Sequence, residues 1–79
     1  MNKPLDQLNP GESGIVTKVG GQGALRRRLL DMGITPKTKI FLVKAAPMGD
    51  PLELSLRGFD LSIRKADAQY IELEIEDGK

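Results

Sequence analysis

Strict alternation of apolar and polar residues near the middle of the chain constrains its fold more than any other feature. The segment Leu52–Arg57 reads Leu-Glu-Leu-Ser-Leu-Arg. A period of two is typical of a β-strand that buries one face and exposes the other. The following Gly58-Phe59 fits a two-residue type II′ turn, which favours glycine at its first position. The segment therefore predicts a β-hairpin.

This turn gives the predicted hairpin a register that is consistent on both faces. The cross-strand pairs are Leu56 with Leu61, Leu54 with Ile63, and Glu53 with Arg64. Apolar side chains then share one face and opposite charges meet on the other. The register is therefore specified by both faces of the hairpin.

Most of the remaining sequence divides into short elements. Strands are predicted where β-branched residues or strict alternation prevail, over Gly14–Val19, Lys39–Ala45 and Tyr70–Glu76. Single helical turns are predicted at Leu5–Leu8 and Lys65–Gln69, and a frayed end at Asp77–Lys79. The elements are too short for anything but a small, strand-rich fold.

One helix is predicted over Ala24–Met32, where apolar residues recur at helical spacing. Its apolar face comprises Leu25, Leu29 and Met32. Gly33 suits the left-handed position that ends a helix, and Ile34 would then pack back on Leu29 in a Schellman motif. The helix is expected to end at this glycine.

Together these elements predict a mainly β fold, a small SH3-like barrel of about five strands with one short α-helix after the first strand. Closure of such a barrel removes exposed strand edges. The chain has 79 residues, which is enough for a single core. We therefore expect one domain spanning residues 1–79.

The composition argues against catalysis. The chain contains no cysteine and no histidine, so the thiolate nucleophile, the commonest general base and the commonest transition-metal ligand are all missing. No pair of side chains resembles a nucleophile with its base. We expect a protein that is not an enzyme, and we assign no catalytic residue, no cofactor and no metal ligand.

Charge and hydropathy bear on location and partners. No apolar run predicts a signal peptide or a membrane span, so a cytoplasmic protein without direct membrane insertion is expected. Residues 1–50 carry 8 basic and 4 acidic groups, and residues 51–79 carry 4 basic and 7 acidic groups. This dipolar distribution favours docking on a partner protein over binding along a nucleic-acid backbone.

Two segments are candidates for that docking. The loop Ala46–Pro51 has proline near both ends and Gly49 inside, which indicates an ordered connector, and it presents the apolar Met48. On the helix, Arg26-Arg27-Arg28 suits either a solvated face or an acidic partner. Leu30 lies off the apolar stripe, so it either covers the N-terminal turn or forms an exposed apolar spot among arginines.

Three further motifs have a simpler interpretation. Gly20–Gly23 precedes the helix but lacks the remainder of a phosphate-binding motif, which favours a flexible corner. Glu72, Glu74 and Glu76 alternate on one strand; they could bind a hard cation, but the pattern is more typical of a solvated edge. Phe59 could stack on an RNA base, although one ring without a basic stripe is a weak platform.

Three segments in this order and spacing resemble the FeoA-like proteins of bacterial ferrous iron transport: Leu25–Pro36, Ala46–Pro51 and Arg57–Arg64. The similarity extends from about Leu5 to Glu74. It departs at Lys37, where a glycine commonly follows the proline. A type II turn would impose a positive φ on this lysine, so a type I turn is expected.

The resemblance implies an SH3-like accessory protein in the cytoplasm. It also implies a partner, the membrane transporter FeoB, whose cytosolic part carries a GTP-binding domain. We expect partner-binding residues at Arg26, Arg27, Leu30, Met48, Asp50 and Arg57. The alternatives are a small RNA-binding barrel and a metal-sensing module, since the C-terminal domain of metal-dependent transcriptional repressors is similar.

Overall fold

The computed structural model of the protein describes residues 1–75. Its strands are β1 (Asn2–Pro4), β2 (Ser13–Val19), β3 (Lys39–Ala45), β4 (Leu52–Leu56), β5 (Phe59–Ile63) and β6 (Ile71–Ile75). Its helices are α1 (Ala24–Asp31), α2 (Lys65–Ala68) and a 3₁₀ helix at Leu5–Gln7. The expectations for Glu76 and for Asp77–Lys79 fall outside the described residues.

The described strands form one antiparallel sheet in the order β1-β6-β2-β3-β4-β5. The fold is therefore mainly β with one short helix after a strand near the N-terminus, as the sequence predicts. The sheet is not closed, because no pairing among residues 1–75 joins its two edges, β1 and β5. The expected closure into a barrel is thus wrong at the level of hydrogen bonding.

The extra strand, β1, is one that the sequence did not predict. It has only three residues, includes Pro4, and pairs with β6 through Lys3 opposite Leu73. The Glu12 carboxylate secures it: Oε1 accepts a hydrogen bond of 2.8 Å from the Asn9 amide and lies 3.2 Å from Lys3 Nζ. The Asn9 amide and the Lys3 ammonium lower the pKa of Glu12. These contacts join separate segments, so no local pattern predicts the strand.

The core lies on one side of the sheet, beneath α1 and the 3₁₀ helix. Alternate residues of β3, β4 and β6 point into it, which is the burial expected for period-two strands. The largest fully buried side chains are Leu5, Val16, Leu29, Ile34, Ile40, Leu42, Leu54, Ile71 and Leu73. One continuous core therefore holds the helix to the sheet.

The β4–β5 hairpin turns one residue earlier than predicted. Its central residues are Arg57 and Gly58, with φ of 51° and 83°, which is the type I′ conformation. The observed pairs are Leu56 with Phe59, Leu54 with Leu61, and Leu52 with Ile63. The predicted register is wrong by two residues. A two-residue shift leaves every side chain on its own face, so the alternation alone could not detect it.

The end of α1 confirms the predicted Schellman motif. Gly33 has a φ of 97°, its amide donates to the Leu30 carbonyl at 3.0 Å, and the Ile34 amide donates to the Leu29 carbonyl at 3.1 Å. Leu29 and Ile34 are both fully buried. The motif therefore fixes the direction in which the chain leaves the helix.

The turn after α1 differs from the expectation. Lys37 has a φ of 77°, and the Thr38 amide donates to the Thr35 carbonyl at 3.1 Å. This is a type II turn, so the predicted type I turn is wrong. The Lys37 amide also donates to the Val16 carbonyl at 2.7 Å. Because this bond ties the turn to β2, the fold imposes a conformation that lysine alone disfavours.

We expect Lys37→Gly to raise the free energy of unfolding by about 0.5–1 kcal/mol. Glycine adopts the positive φ without strain, and this gain exceeds the cost of its greater entropy in the unfolded chain. Urea denaturation measures the change. The matched control is Lys37→Ala, which removes the charge but retains Cβ and should bring no gain. An equal gain in both variants would contradict backbone strain as the cause.

Candidate docking surface

The loop at positions 46–51 is held together by its own backbone. The Ala46 amide donates to the Pro51 carbonyl at 3.0 Å, and the Gly49 amide donates to the Ala46 carbonyl at 2.7 Å. Gly49 has a φ of 84°, which favours glycine there. Met48 at the tip is 92% exposed. An apolar side chain is therefore presented to solvent on a hydrogen-bonded loop.

Asp50 connects this loop to α2. Its Oδ1 accepts a hydrogen bond of 2.9 Å from the amide of Lys65, the first residue of that helix. Asp67 in α2 continues the connection, because its Oδ2 lies 3.2 Å from Arg28 Nη2 and 3.5 Å from Arg64 Nε. The loop, α2 and α1 are therefore linked by polar contacts between side chains and backbone.

The predicted helical residues have unequal exposure. Arg27 is exposed, and Arg26 is exposed although its Nε donates to the Val19 carbonyl at 3.2 Å. Leu30 is half-buried and packs against the core. Its packing on the core means that it is not a fully exposed apolar spot. Arg26 and Arg27 remain accessible to a partner.

Arg57 lies apart from the loop. It follows β4 whereas Met48 and Asp50 precede it, so the strand separates them by roughly 17 Å at about 3.3 Å per residue. The Arg57 guanidinium donates to Thr35 Oγ1 at 3.0 Å and to Thr38 Oγ1 at 2.9 Å. The six predicted residues therefore do not form one patch, and Arg57 joins the hairpin to the turn after α1.

The acidic residues singled out in the sequence do not form a metal site within the described residues. Within the part of the chain that the structure describes, no group of three acidic residues is placed to hold a metal ion. Glu72 and Glu74 are exposed on β6, and Glu76 lies outside that part. No helix in residues 1–75 has the length and apolar character needed to cross a bilayer.

Removing the Asp50 carboxylate tests its contact with α2. We expect Asp50→Ala to lower the free energy of unfolding by about 1 kcal/mol, because the first amide of α2 loses its acceptor. Asp50→Asn keeps an acceptor oxygen and is expected to lose less than half as much. Urea denaturation of both variants measures the difference. Equal losses would mean that the hydrogen bond contributes nothing beyond the charge.

The open antiparallel sheet with its short helix defines the class of the protein, a small SH3-like β domain. Within that class the chain belongs to the FeoA family, since the model of the FeoA domain matches residues 3–75. The predicted resemblance is thereby confirmed.

Relatives of known sequence and structure agree with this assignment. The Fe(2+) transport protein A/Fe(2+) transporter FeoB fusion protein of Porphyromonas gingivalis is 34% identical over 71 residues, which are 90% of this chain and 8% of that protein. This chain thus spans only a small part of that relative. The NMR structure of a FeoA-like protein from Clostridium acetobutylicum is 36% identical, with a TM-score of 0.88 over 94% of this chain and 86% of that one.

A more distant structure bears on the fold alone. The crystal structure of Stenotrophomonas maltophilia FeoA complexed with zinc, described as a prokaryotic SH3 domain protein, has a TM-score of 0.74 at 22% identity. The similarity covers 92% of this chain and 88% of that one. The SH3-like class therefore holds across relatives of low sequence identity.

Proposed function

We propose that this chain is a cytoplasmic accessory protein of bacterial ferrous iron uptake that docks on the cytosolic GTP-binding region of a FeoB-type transporter. One observation carries the proposal: the P. gingivalis relative joins an FeoA segment and FeoB in one polypeptide. A fusion holds two modules at high effective concentration, which favours functions that use both together. Separate chains then need an interface of their own.

The docking surface that we propose centres on Met48. Interfaces commonly use an apolar anchor that enters a pocket of the partner, surrounded by polar residues. Met48 is such an anchor, and Asp50 is the polar residue beside it. The loop contacts α2 through Asp50, and α1 contacts α2 through Arg28. We place Arg26 and Arg27, on the same helix as Arg28, where the surface extends along α1. Leu30 contributes its exposed portion.

Arg57 is the weakest member of the predicted set. Its guanidinium already donates to Thr35 and Thr38, and binding a partner carboxylate would compete with these bonds. We therefore place it outside the anchor surface. Its role in docking is to hold the hairpin against the turn that follows α1.

Docking on a GTP-binding domain implies an effect on its nucleotide cycle. The chain lacks cysteine and histidine, the side chains that most often hold transition metals, so carriage of iron is disfavoured. We propose that it acts by altering the rate of GTP hydrolysis or the assembly of the transporter. The effect requires contact with the protein partner and no bound metal.

Isothermal titration calorimetry of the intact chain into the purified GTP-binding region tests the proposal. We expect saturable binding with a dissociation constant in the micromolar range, and a changed rate of GTP hydrolysis at saturation. The same titration into an unrelated GTPase controls for non-specific association. Absence of heat and of any rate change at chain concentrations of ~1 mM would overturn the proposal.

A further inference from the structure

The two edges of the sheet are protected very differently. β1 is three residues long and contains Lys3 and Pro4, which are features that prevent edge-to-edge pairing. β5 has five residues, no proline, no lysine and no irregularity in its pairing with β4. A regular, unprotected edge strand is a template for another strand. Within the described residues 1–75, no strand pairs with the outer side of β5.

The free hydrogen-bonding groups of β5 can be assigned from its turn. Leu56 and Phe59 flank the two-residue turn, so they form a hydrogen-bonded pair. Such pairs alternate with non-bonded ones in an antiparallel ladder. The amides and carbonyls of Asp60 and Ser62 therefore face away from β4. Among residues 1–75, β5 lies at the edge of the sheet and pairs with β4 alone.

The side chains of β5 also leave apolar surface at this edge. Phe59 is 45% exposed, and Leu61 is half-buried although its cross-strand partner Leu54 is fully buried. Both belong to the face that packs toward the core. A further strand beside β5 would cover them, which is a favourable burial of apolar area.

β5 is complementary to a second copy of itself. In an antiparallel pair centred on Leu61, Phe59 faces Ile63 of the other copy and Leu61 faces Leu61. Asp60 then faces Ser62, so no like charges are opposed. This register places the outward groups of Asp60 and Ser62 in hydrogen-bonded positions. Apolar side chains and backbone groups are matched by the same alignment.

We propose that two copies of this chain associate through β5, in a two-fold antiparallel pair centred on Leu61. The pairing joins the two sheets across the interface. It is isologous, because the same surface of each copy is used. It leaves the loop at positions 46–51 outside the strand pair, so it does not depend on the proposed docking function.

Sedimentation equilibrium of the intact chain tests the association. From about 1 μM to about 1 mM, the mean mass is expected to rise from that of one chain toward that of two. Ser62→Pro removes an outward amide that β4 does not use, and is expected to raise the dissociation constant at least ~30-fold. Ser62→Thr keeps the amide and should remain within about threefold of the original chain.

Amide hydrogen exchange on the unaltered chain gives a second test that needs no variant. The Asp60 and Ser62 amides are expected to exchange at least ~10-fold more slowly at high concentration than at low concentration. The Phe59 and Leu61 amides, which bond to β4, should be slow at both concentrations. This pattern distinguishes β5 pairing from dimerisation through another surface.

Several results would overturn the proposal. They are a mass of one chain at every concentration, association by Ser62→Pro as tight as that of the original chain, and protection confined to other amides. Protection of Asp60 and Ser62 that arises only when the transporter's GTP-binding region is added would also overturn it, since that partner would then occupy the edge.

Discussion

Replacing Leu29 with alanine is expected to lower the free energy of unfolding by about 3 kcal/mol, within the 2–5 kcal/mol range for buried leucines. Leu29 is fully buried and is the one buried residue of α1. Its carbonyl accepts the Ile34 amide, so its side chain and backbone both hold the helix end. A core of this size provides only about 3–5 kcal/mol. The variant should therefore be close to its unfolding midpoint at 25 °C.

Urea denaturation followed by circular dichroism measures this loss. Arg27→Ala, on the exposed face of the same helix, is the matched control and should change the free energy of unfolding by less than about 0.5 kcal/mol. A loss below about 1 kcal/mol for Leu29→Ala would indicate that α1 is held by other contacts. The assignment of Leu29 as the anchor of the helix would then be wrong.

Replacing Met48 with aspartate is expected to weaken binding to the transporter's GTP-binding region at least ~30-fold, because a central apolar anchor contributes about 2 kcal/mol or more. Met48 is 92% exposed, so its replacement removes no core contact and should leave stability unchanged. Leu30→Glu would also change the free energy of unfolding, because Leu30 packs against the core. Met48 is therefore the sharper test of the surface.

Two controls accompany the Met48 variant in the calorimetric titration. Met48→Leu preserves the apolar tip and should bind within about threefold of the original chain. Gln7→Asp adds the same charge at an exposed position on the 3₁₀ helix and should bind normally. Equal binding by Met48→Asp and the original chain would remove Met48 from the interface.

Periodicity was sufficient to predict most elements because their signals are local. The end of α1 at Gly33 needs only a glycine after an apolar stripe, and β3 follows from one apolar run, Ile40–Val43. The register of the β4–β5 hairpin could not be predicted from such a local signal. The Gly58-Phe59 and Arg57-Gly58 turns preserve the same apolar face, and they differ in a positive φ at Arg57 that sequence preference disfavours.

The contacts that define the candidate surface were harder to predict. Met48 could be selected because an apolar residue lies in a proline-containing loop. The hydrogen bond from the Lys65 amide to Asp50 joins residues 15 apart in sequence, and the Arg57 bond to Thr38 joins residues 19 apart. Such contacts depend on the assembled sheet, so no spacing rule indicates them.

The strand β1 illustrates the same limit at the N-terminus. Its three residues have no apolar alternation, and its proline argues against a strand. It forms because β6 supplies a free edge and because Lys3 pairs with Glu12. A segment of this length takes its conformation from its neighbours, which a local pattern cannot describe.

The most direct test of the account is an NMR titration of the isotope-labelled chain with the transporter's GTP-binding region. We predict saturable changes in amide chemical shift concentrated at residues 46–51 and on the exposed face of α1. The β2–β6 ladder should show little change. Absence of changes, or changes confined to surfaces away from the loop and α1, would contradict the proposed docking surface.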